Sequence, residues 1–320
     1  MRSAARLYRL QLAMIAAGLG IVTFAAAKAL GAIVFEPGSL EGLLAACKTL
    51  LPSLGVGEVA ALALAGVGVA ALALGLRSLV RQVLATRRYV ASLPLTGQEL
   101  DLAGTRCWIT ADREASAFCA GFVRPRVYLS ERALELLAPQ ELLAVIAHER
   151  HHRDRRDPLR ILVLRALADA LFFLPILKSM TRRYASLIEL AADEAAVAKL
   201  TDRKPLAGAL LRFGIREPSP AVIAAITPER VDHLAGDPAA TRWRLPATAI
   251  GLSFLLGGFV LAAGVGVALS DGAPVDLAST LAQTCMLLMI GAPMAALGAG
   301  GLSWCRALPA VGIGSRRGQS

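Results

Sequence analysis

Four long apolar runs organise the chain. Residues 10–35 carry one charge, Lys28, near the far end. Residues 57–76 are rich in Ala, Leu and Gly, with Glu58 at the edge, and residues 245–269 and 278–303 carry no charge at all. A helix of about 20 apolar residues crosses the hydrocarbon core of a bilayer, so each run predicts a transmembrane helix. The Gly and Ala within them suit close helix packing in lipid. A fifth stretch, residues 159–178, is interrupted by Arg165 and Asp169. These stand four apart, on one helix face, where they can pair. Two placements of this stretch stay open: a helix lying against or dipping into the membrane, or a buried helix of a soluble domain.

Between the second and third runs the pattern changes. Residues 104–129 mix β-branched and aromatic residues with Gly and Pro, and read as short strands or a hairpin. Pro139 suits the first position of a helix, with Glu141 in its first turn and Leu142, Leu143, Val145 and Ile146 on one face; Pro158 ends it. Residues 181–200 predict another helix, and residues 201–244 are polar and loop-rich. No internal repeat or low-complexity tract is visible.

At 56% apolar residues, with a mean hydropathy of +0.58, the composition excludes an ordinary soluble domain. The net charge of +10 would suit nucleic acid or anionic lipid, but its distribution favours membrane orientation, and no direct nucleic-acid partner is expected. Arginines 2, 6 and 9 precede the first run, and 77, 81, 87 and 88 follow the second. Arginines 242 and 244 precede the third, and 306, 316 and 317 follow the fourth. The two other loops lean acidic, with Glu36, Glu41 and Lys48 in one and Asp271 and Asp276 in the other. Positive charge stays on the cytoplasmic side. Both termini and the block between are therefore expected in the cytoplasm, and the basic, apolar N-terminus reads as a retained anchor. The expected organisation is a transmembrane hairpin over 1–80, a cytoplasmic domain over 81–244 with a membrane-associated helix at 159–178, a second hairpin over 245–305, and a cytoplasmic tail over 306–320. The five cysteines, 47, 107, 119, 285 and 305, have no CxxC or framework spacing, so neither a disulfide scaffold nor a cysteine metal site is supported.

The chemistry concentrates at residues 144–157, AVIAHERHHRDRRD, which hold three of the four histidines. His148-Glu149-Arg150-His151-His152 fits H-E-x-x-H. Residues four apart share a helix face, so His148 and His152 can reach one Zn²⁺, with Glu149 placed as general base toward a water. His151, three residues from His148, could share that face and is set aside because the pair needs a spacing of four. A catalytic zinc takes a third protein ligand. Glu189, in Glu189-Leu-Ala-Ala-Asp193, is the best candidate. Asp193, one turn on, could hold a ligand histidine by its second nitrogen. The competing reading is a basic patch with solvated acids such as Glu194. His233, Tyr184 and Arg183 are weaker candidates for stabilising an oxyanion.

These parts stand together in one order: SAFCAGFVRPRVYLS with Gly121 and Pro125, the helix ELLAVIAHERHHRDRRDPL with Asp157 five residues after the second histidine, then IELAADEAAV, then ITPERVDHLAG. The chain thereby resembles membrane metallopeptidases of the BlaR/MecR antirepressor type, well over about residues 105–240 and loosely in the hydrophobic flanks. HtpX-type peptidases are a close alternative with the same chemistry. The resemblance implies Zn²⁺ ligands at His148, His152 and Glu189, with Glu149 as general base and Asp157 and Asp193 in support. It implies a mainly α membrane protein with about four transmembrane helices, a cytoplasmic α+β zincin-like domain, and a bacterial inner-membrane setting. The substrate it suggests is a cytoplasmic or membrane-associated protein, such as a winged-helix repressor. The best-known members add a penicillin-binding sensor domain with S-x-x-K. No S-x-x-K occurs here and about 17 residues follow the last run, so direct β-lactam sensing is not implied. The non-enzymatic alternative is a signal transducer whose basic cytoplasmic domain binds a regulator, lipid or nucleic acid, with a vestigial site. The oligomeric state is not legible.

Overall fold

The structure is a computed structural model that describes residues 2–32, 56–216, 230 and 246–269. The chain divides into two compact units, Met1–Ala26 with Ala63–Val265, and Ala27–Leu62 with Gly266–Ser320. In the second unit the described residues are the ends of helices. The first unit carries the architecture. In chain order the described elements are α1 (Arg2–Ala32), α2 (Val56–Ser92), β1 (Leu95–Leu102), β2 (Thr105–Thr110), β3 (Ala117–Ala120), β4 (Arg126–Ser130), α3 (Glu131–Leu136), α4 (Pro139–Arg155), α5 (Asp157–Ala170), α6 (Ile176–Leu200), α7 (Lys204–Arg216) and α8 (Ala247–Leu269).

Among the described residues three helices are long and apolar enough to cross a membrane, in α1, α2 and α8. The protein is thus a membrane protein with a mixed α and β domain. The fourth expected span, residues 278–303, lies outside the described residues. α2 has 37 residues, about 55 Å at 1.5 Å per residue. It runs without a break from the apolar run through Arg77, Arg81, Arg87 and Arg88.

The sheet has the order β1-β2-β4-β3. β1 and β2 form a hairpin, β2 pairs parallel with β4, and β3 pairs antiparallel with β4 in the register Ala117↔Leu129 to Ala120↔Arg126. β3 is therefore an edge. Gly121, just after it, has φ +103°, and a Cβ there would stand 3.2 Å from the Arg124 carbonyl oxygen. Only glycine takes that backbone without strain, which accounts for the Gly121-x-x-x-Pro125 turn.

α4 sits between the sheet and the helices. Val145 and Ile146 pack on the sheet with Cys107, Ile109, Val127 and Leu129, while Ala144 and Ala147 meet Ala196 of α6 and Leu206 of α7. Small residues on that face let α6 come close. At the start of α4 the Glu141 carboxylate accepts a hydrogen bond from the Ala138 amide (2.8 Å) and pairs with Arg212 of α7 (2.9 Å).

The apolar stretch 159–178 is not one helix. α5 ends at Ala170, Leu171–Pro175 turn the chain, and α6 begins at Ile176. The turn is nevertheless apolar, with Phe172 exposed and buried Leu171 and Leu174 against Gly18 of α1 and Leu174 against Gly257 of α8. Ala170 approaches α2 so closely that a Cβ on Gly75 would stand 2.9 Å from its own. Polar bonds fasten the same hairpin to each long helix. The Gln11 amide donates to Thr181 Oγ1 (2.6 Å) and the Leu177 carbonyl. Ser78 donates to Asp169 (2.6 Å), and the Ile176 amide donates to Ser253 Oγ (3.0 Å). Asp169 takes Lys178 as its cation, at 3.1 Å. The spacing to Arg165 invited a different pairing, but the turn folds Lys178 back onto Asp169.

Candidate metal centre

His148 and His152 stand one turn apart on α4, both buried. α6 crosses beside them and presents Glu189. The three form a triangle: Nε2 to Nε2 is 3.1 Å, His148 Nε2 to Glu189 Oε2 is 3.5 Å, and His152 Nε2 to Glu189 Oε1 is 3.6 Å. Ligands about 2.0–2.1 Å from a tetrahedral zinc lie about 3.3–3.4 Å apart. The triangle therefore has the size of one face of such a site, and these three residues could hold a metal ion.

The other nitrogen of each ring faces a buried carboxylate. His148 Nδ1 lies 2.9 Å from Asp193 Oδ1, and His152 Nδ1 lies 3.0 Å from Asp157 Oδ2. Metal-bound histidines usually have a carboxylate or carbonyl in this place, which fixes the ring and raises its basicity. Asp193 and Asp157 are both fully buried. Asp157 reaches His152 because Arg156 takes a left-handed conformation (φ 53°, ψ 42°), folding the chain back as α4 gives way to α5.

Arg230 completes the cluster. Its Nε and Nη2 bind Asp193 at 2.9 and 2.6 Å, and its Nη1 lies 3.5 Å from Glu189 Oε2. The residue is 4% exposed. It stands in ITPERVDHLAG, where the histidine at 233 draws the eye first; that histidine lies outside the described residues. The available signal for Arg230 was its place in the Arg-Val-x-x-Leu stretch.

The electrostatics suit a cation. Burial alone would lower the His148 pKa, but Asp193 and Glu189 outweigh it and hold the ring protonated up to about 10. Burial would raise Glu189 and Asp193, yet contact with His148, joined by Arg230, brings each down to about 2. Glu149 is raised by burial against the pull of the two histidines. It lines the same cleft as the triangle, where a carboxylate can take up and return a proton.

That cleft has a volume of about 1100 Å³. Its walls include Ala85, Thr86 and Tyr89 of α2, the edge strand β3, and Leu206, Leu210 and Phe213 of α7. Cys119 on β3 is pushed up to about 12 by burial and then by Glu149, and buried Cys107 to about 11. His151 stays out of the triangle; its Nε2 is buried without a hydrogen bond and burial lowers its pKa. Neither Arg183 nor Tyr184 lines the cleft; Tyr184 packs against Tyr8. Arg156 is exposed, Arg153 pairs with Asp154 at 2.8 Å, and Glu194 is exposed.

H-E-x-x-H on one helix, a carboxylate from a neighbouring helix and a cleft beside an edge strand, in a chain with membrane-spanning helices, point to the class of membrane metallopeptidases. The family model for BlaR1 peptidase M56 matches residues 59–232, more than half of the chain, and the chain belongs to that family. No curated protein and no solved structure matches it.

Proposed function

We propose that the protein is a zinc endopeptidase of the bacterial inner membrane, with its site on the cytoplasmic side, in a zincin-like domain. The observation that carries this is the ligand triangle of His148, His152 and Glu189, backed by Asp157 and Asp193. Its nitrogen-rich donors and edge lengths fit Zn²⁺. When bound, the zinc ion acidifies a water and polarises the scissile carbonyl. Asp157 and Asp193 keep the Nδ1 protons of His152 and His148, so that both Nε2 lone pairs point inward. Glu149 accepts the proton of the attacking water and returns it to the leaving amine, work that its raised pKa suits. β3 offers unpaired backbone groups to an extended substrate, which adds as a strand. The substrate is a cytoplasmic or membrane-associated protein, a winged-helix repressor among the candidates.

Glu149→Ala tests the assignment. Zinc content should stay near one ion per chain while peptide hydrolysis falls by about 10²–10⁴. A wild-type protein that binds no zinc, with a variant that keeps full function in cells, leaves only the transducer reading.

A further inference from the structure

Asp157 uses one carboxylate oxygen on the metal site and leaves the other behind it. Oδ2 faces His152 Nδ1 at 3.0 Å, while Oδ1 is buried and makes no hydrogen bond among the described residues. A buried carboxylate needs a counter-charge close by. Two guanidinium groups stand 3.9 Å from Oδ1, that of Arg155 at the end of α4 and that of Arg160 on α5. At this distance they act on the carboxylate through charge rather than through a hydrogen bond. Arg160 follows Asp157 by three residues, so the two share one face of α5.

Arg160 has a second attachment. Its guanidinium lies 5.5 Å over the Tyr8 ring of α1, within the range of a cation–π contact. Tyr8 in turn packs against buried Tyr184 of α6, with ring centroids 5.3 Å apart. The Tyr184 hydroxyl is close enough to Arg160 and Asp157 for both charges to act on it. Helices α1, α5 and α6 thus meet around one guanidinium. From there the contacts lead in three steps to the ligand triangle: Tyr8 to Arg160, Arg160 to Asp157, and Asp157 to His152. Neither Tyr8 nor Arg160 lines the cleft, so both stand away from bound substrate.

With His152 read as a metal ligand, we infer that Arg160, held by the Tyr8 ring of α1, is a positioning residue that keeps the Asp157 carboxylate turned toward His152. The Arg160 charge draws Oδ1 outward, which leaves Oδ2 on Nδ1. The imidazole then keeps the orientation that ligation needs. Helix α1, apolar over most of its length, thereby also supports the metal centre.

The test uses full-length protein in detergent, stripped with chelator and titrated with zinc against a chromophoric competitor. The variants are Arg160→Met, Tyr8→Leu, the two combined, and Tyr8→Phe. Zinc affinity should fall about three- to tenfold in Arg160→Met, less than the roughly 10–100-fold that follows loss of a group bonded directly to a ligand. Tyr8→Leu should weaken zinc in the same direction, and the double variant should be no weaker than Arg160→Met alone. Tyr8→Phe keeps the ring face and should keep the parent affinity. At saturating zinc, peptide hydrolysis should show a lower kcat at unchanged KM in Arg160→Met. Thermal unfolding with chelator checks that each variant folds, and Tyr8→Leu against Tyr8→Phe carries the test if Arg160→Met does not. Parent zinc affinity in Arg160→Met or Tyr8→Leu overturns the proposal. So does a double variant whose loss is the product of the two single losses, or a Tyr8→Phe as weak as Tyr8→Leu. A parent protein that binds no zinc overturns instead the reading of His152 as a ligand.

Discussion

Removing Arg230 should destabilise the metal-free protein more than any loss of surface charge. Arg230 is 4% exposed and Asp193 fully buried, and the two are joined by bonds of 2.6 and 2.9 Å. Among the described residues, Arg230→Met leaves the Asp193 carboxylate buried with only His148 beside it. Breaking one side of a buried pair costs about 3–5 kcal/mol. The remaining contact at 2.9 Å to His148 places the cost at the low end, about 3 kcal/mol, or an unfolding midpoint lower by about 6–12 °C. Zinc affinity should also fall about 10–100-fold, the usual consequence of losing a group that orients a ligand. The control is Asp193→Asn combined with Arg230→Met. It removes the orphaned charge, so the double variant should be more stable than Arg230→Met alone, while its zinc affinity stays low. Thermal unfolding in detergent with chelator, together with competitive zinc titration, reads both quantities. A single variant within about 1 kcal/mol of the parent, or a double variant no better than the single, would refute the argument that Arg230 neutralises a buried carboxylate.

Asp157→Asn should weaken zinc binding by about 10–100-fold through loss of the His152 support, measured by the same competition, while Asp154→Asn on the exposed side of the helix should not. In chelated protein, His148 holds its proton up to about 10 against 6.5 in the unfolded chain. The stabilisation this gives is complete below pH 6.5 and is lost as pH rises toward 10. The unfolding midpoint of the chelated protein should therefore decline over that range, and zinc-loaded protein, whose imidazole is a neutral ligand, should lack that component. Gly121→Ala places a Cβ 3.2 Å from the Arg124 carbonyl at φ +103°. It should cost about 1–3 kcal/mol and raise KM by disturbing the end of β3; unchanged stability and KM would contradict it. Finally, with Cys47, Cys285 and Cys305 replaced by serine, alkylation by iodoacetamide at pH 8 should be slow, because Cys107 and Cys119 titrate near 11 and 12, and reaction should accelerate as pH rises toward those values.

The spans in α1, α2 and α8 were legible because an apolar run of span length is a local property of the chain. The His148–His152 pairing was legible for the same reason, since residues four apart meet whenever a helix forms. Glu189 and Asp193 could be proposed as a pair one turn apart, but their distance to the histidines could not. It depends on Ala144 and Ala147 meeting Ala196 across two helices, contacts between residues about fifty positions apart. The partner of Asp157 depended on a single left-handed residue, Arg156, which no periodicity announces. Strand β1 escaped notice because its alternating half-buried positions carry little pattern, while helix α7 was missed although Leu206, Ala209 and Phe213 mark one apolar face at helical spacing. The sequence by itself determined three helices long and apolar enough to cross a membrane and a set of residues that could bind a metal, because both follow from side-chain chemistry and helix periodicity. Only the tertiary structure decided that the stretch 159–178 turns back at its middle, that Asp169 answers to Ser78 and Lys178, and that Arg230 joins the site. These depend on how helices pack, and that is set by shape and burial summed over the whole domain.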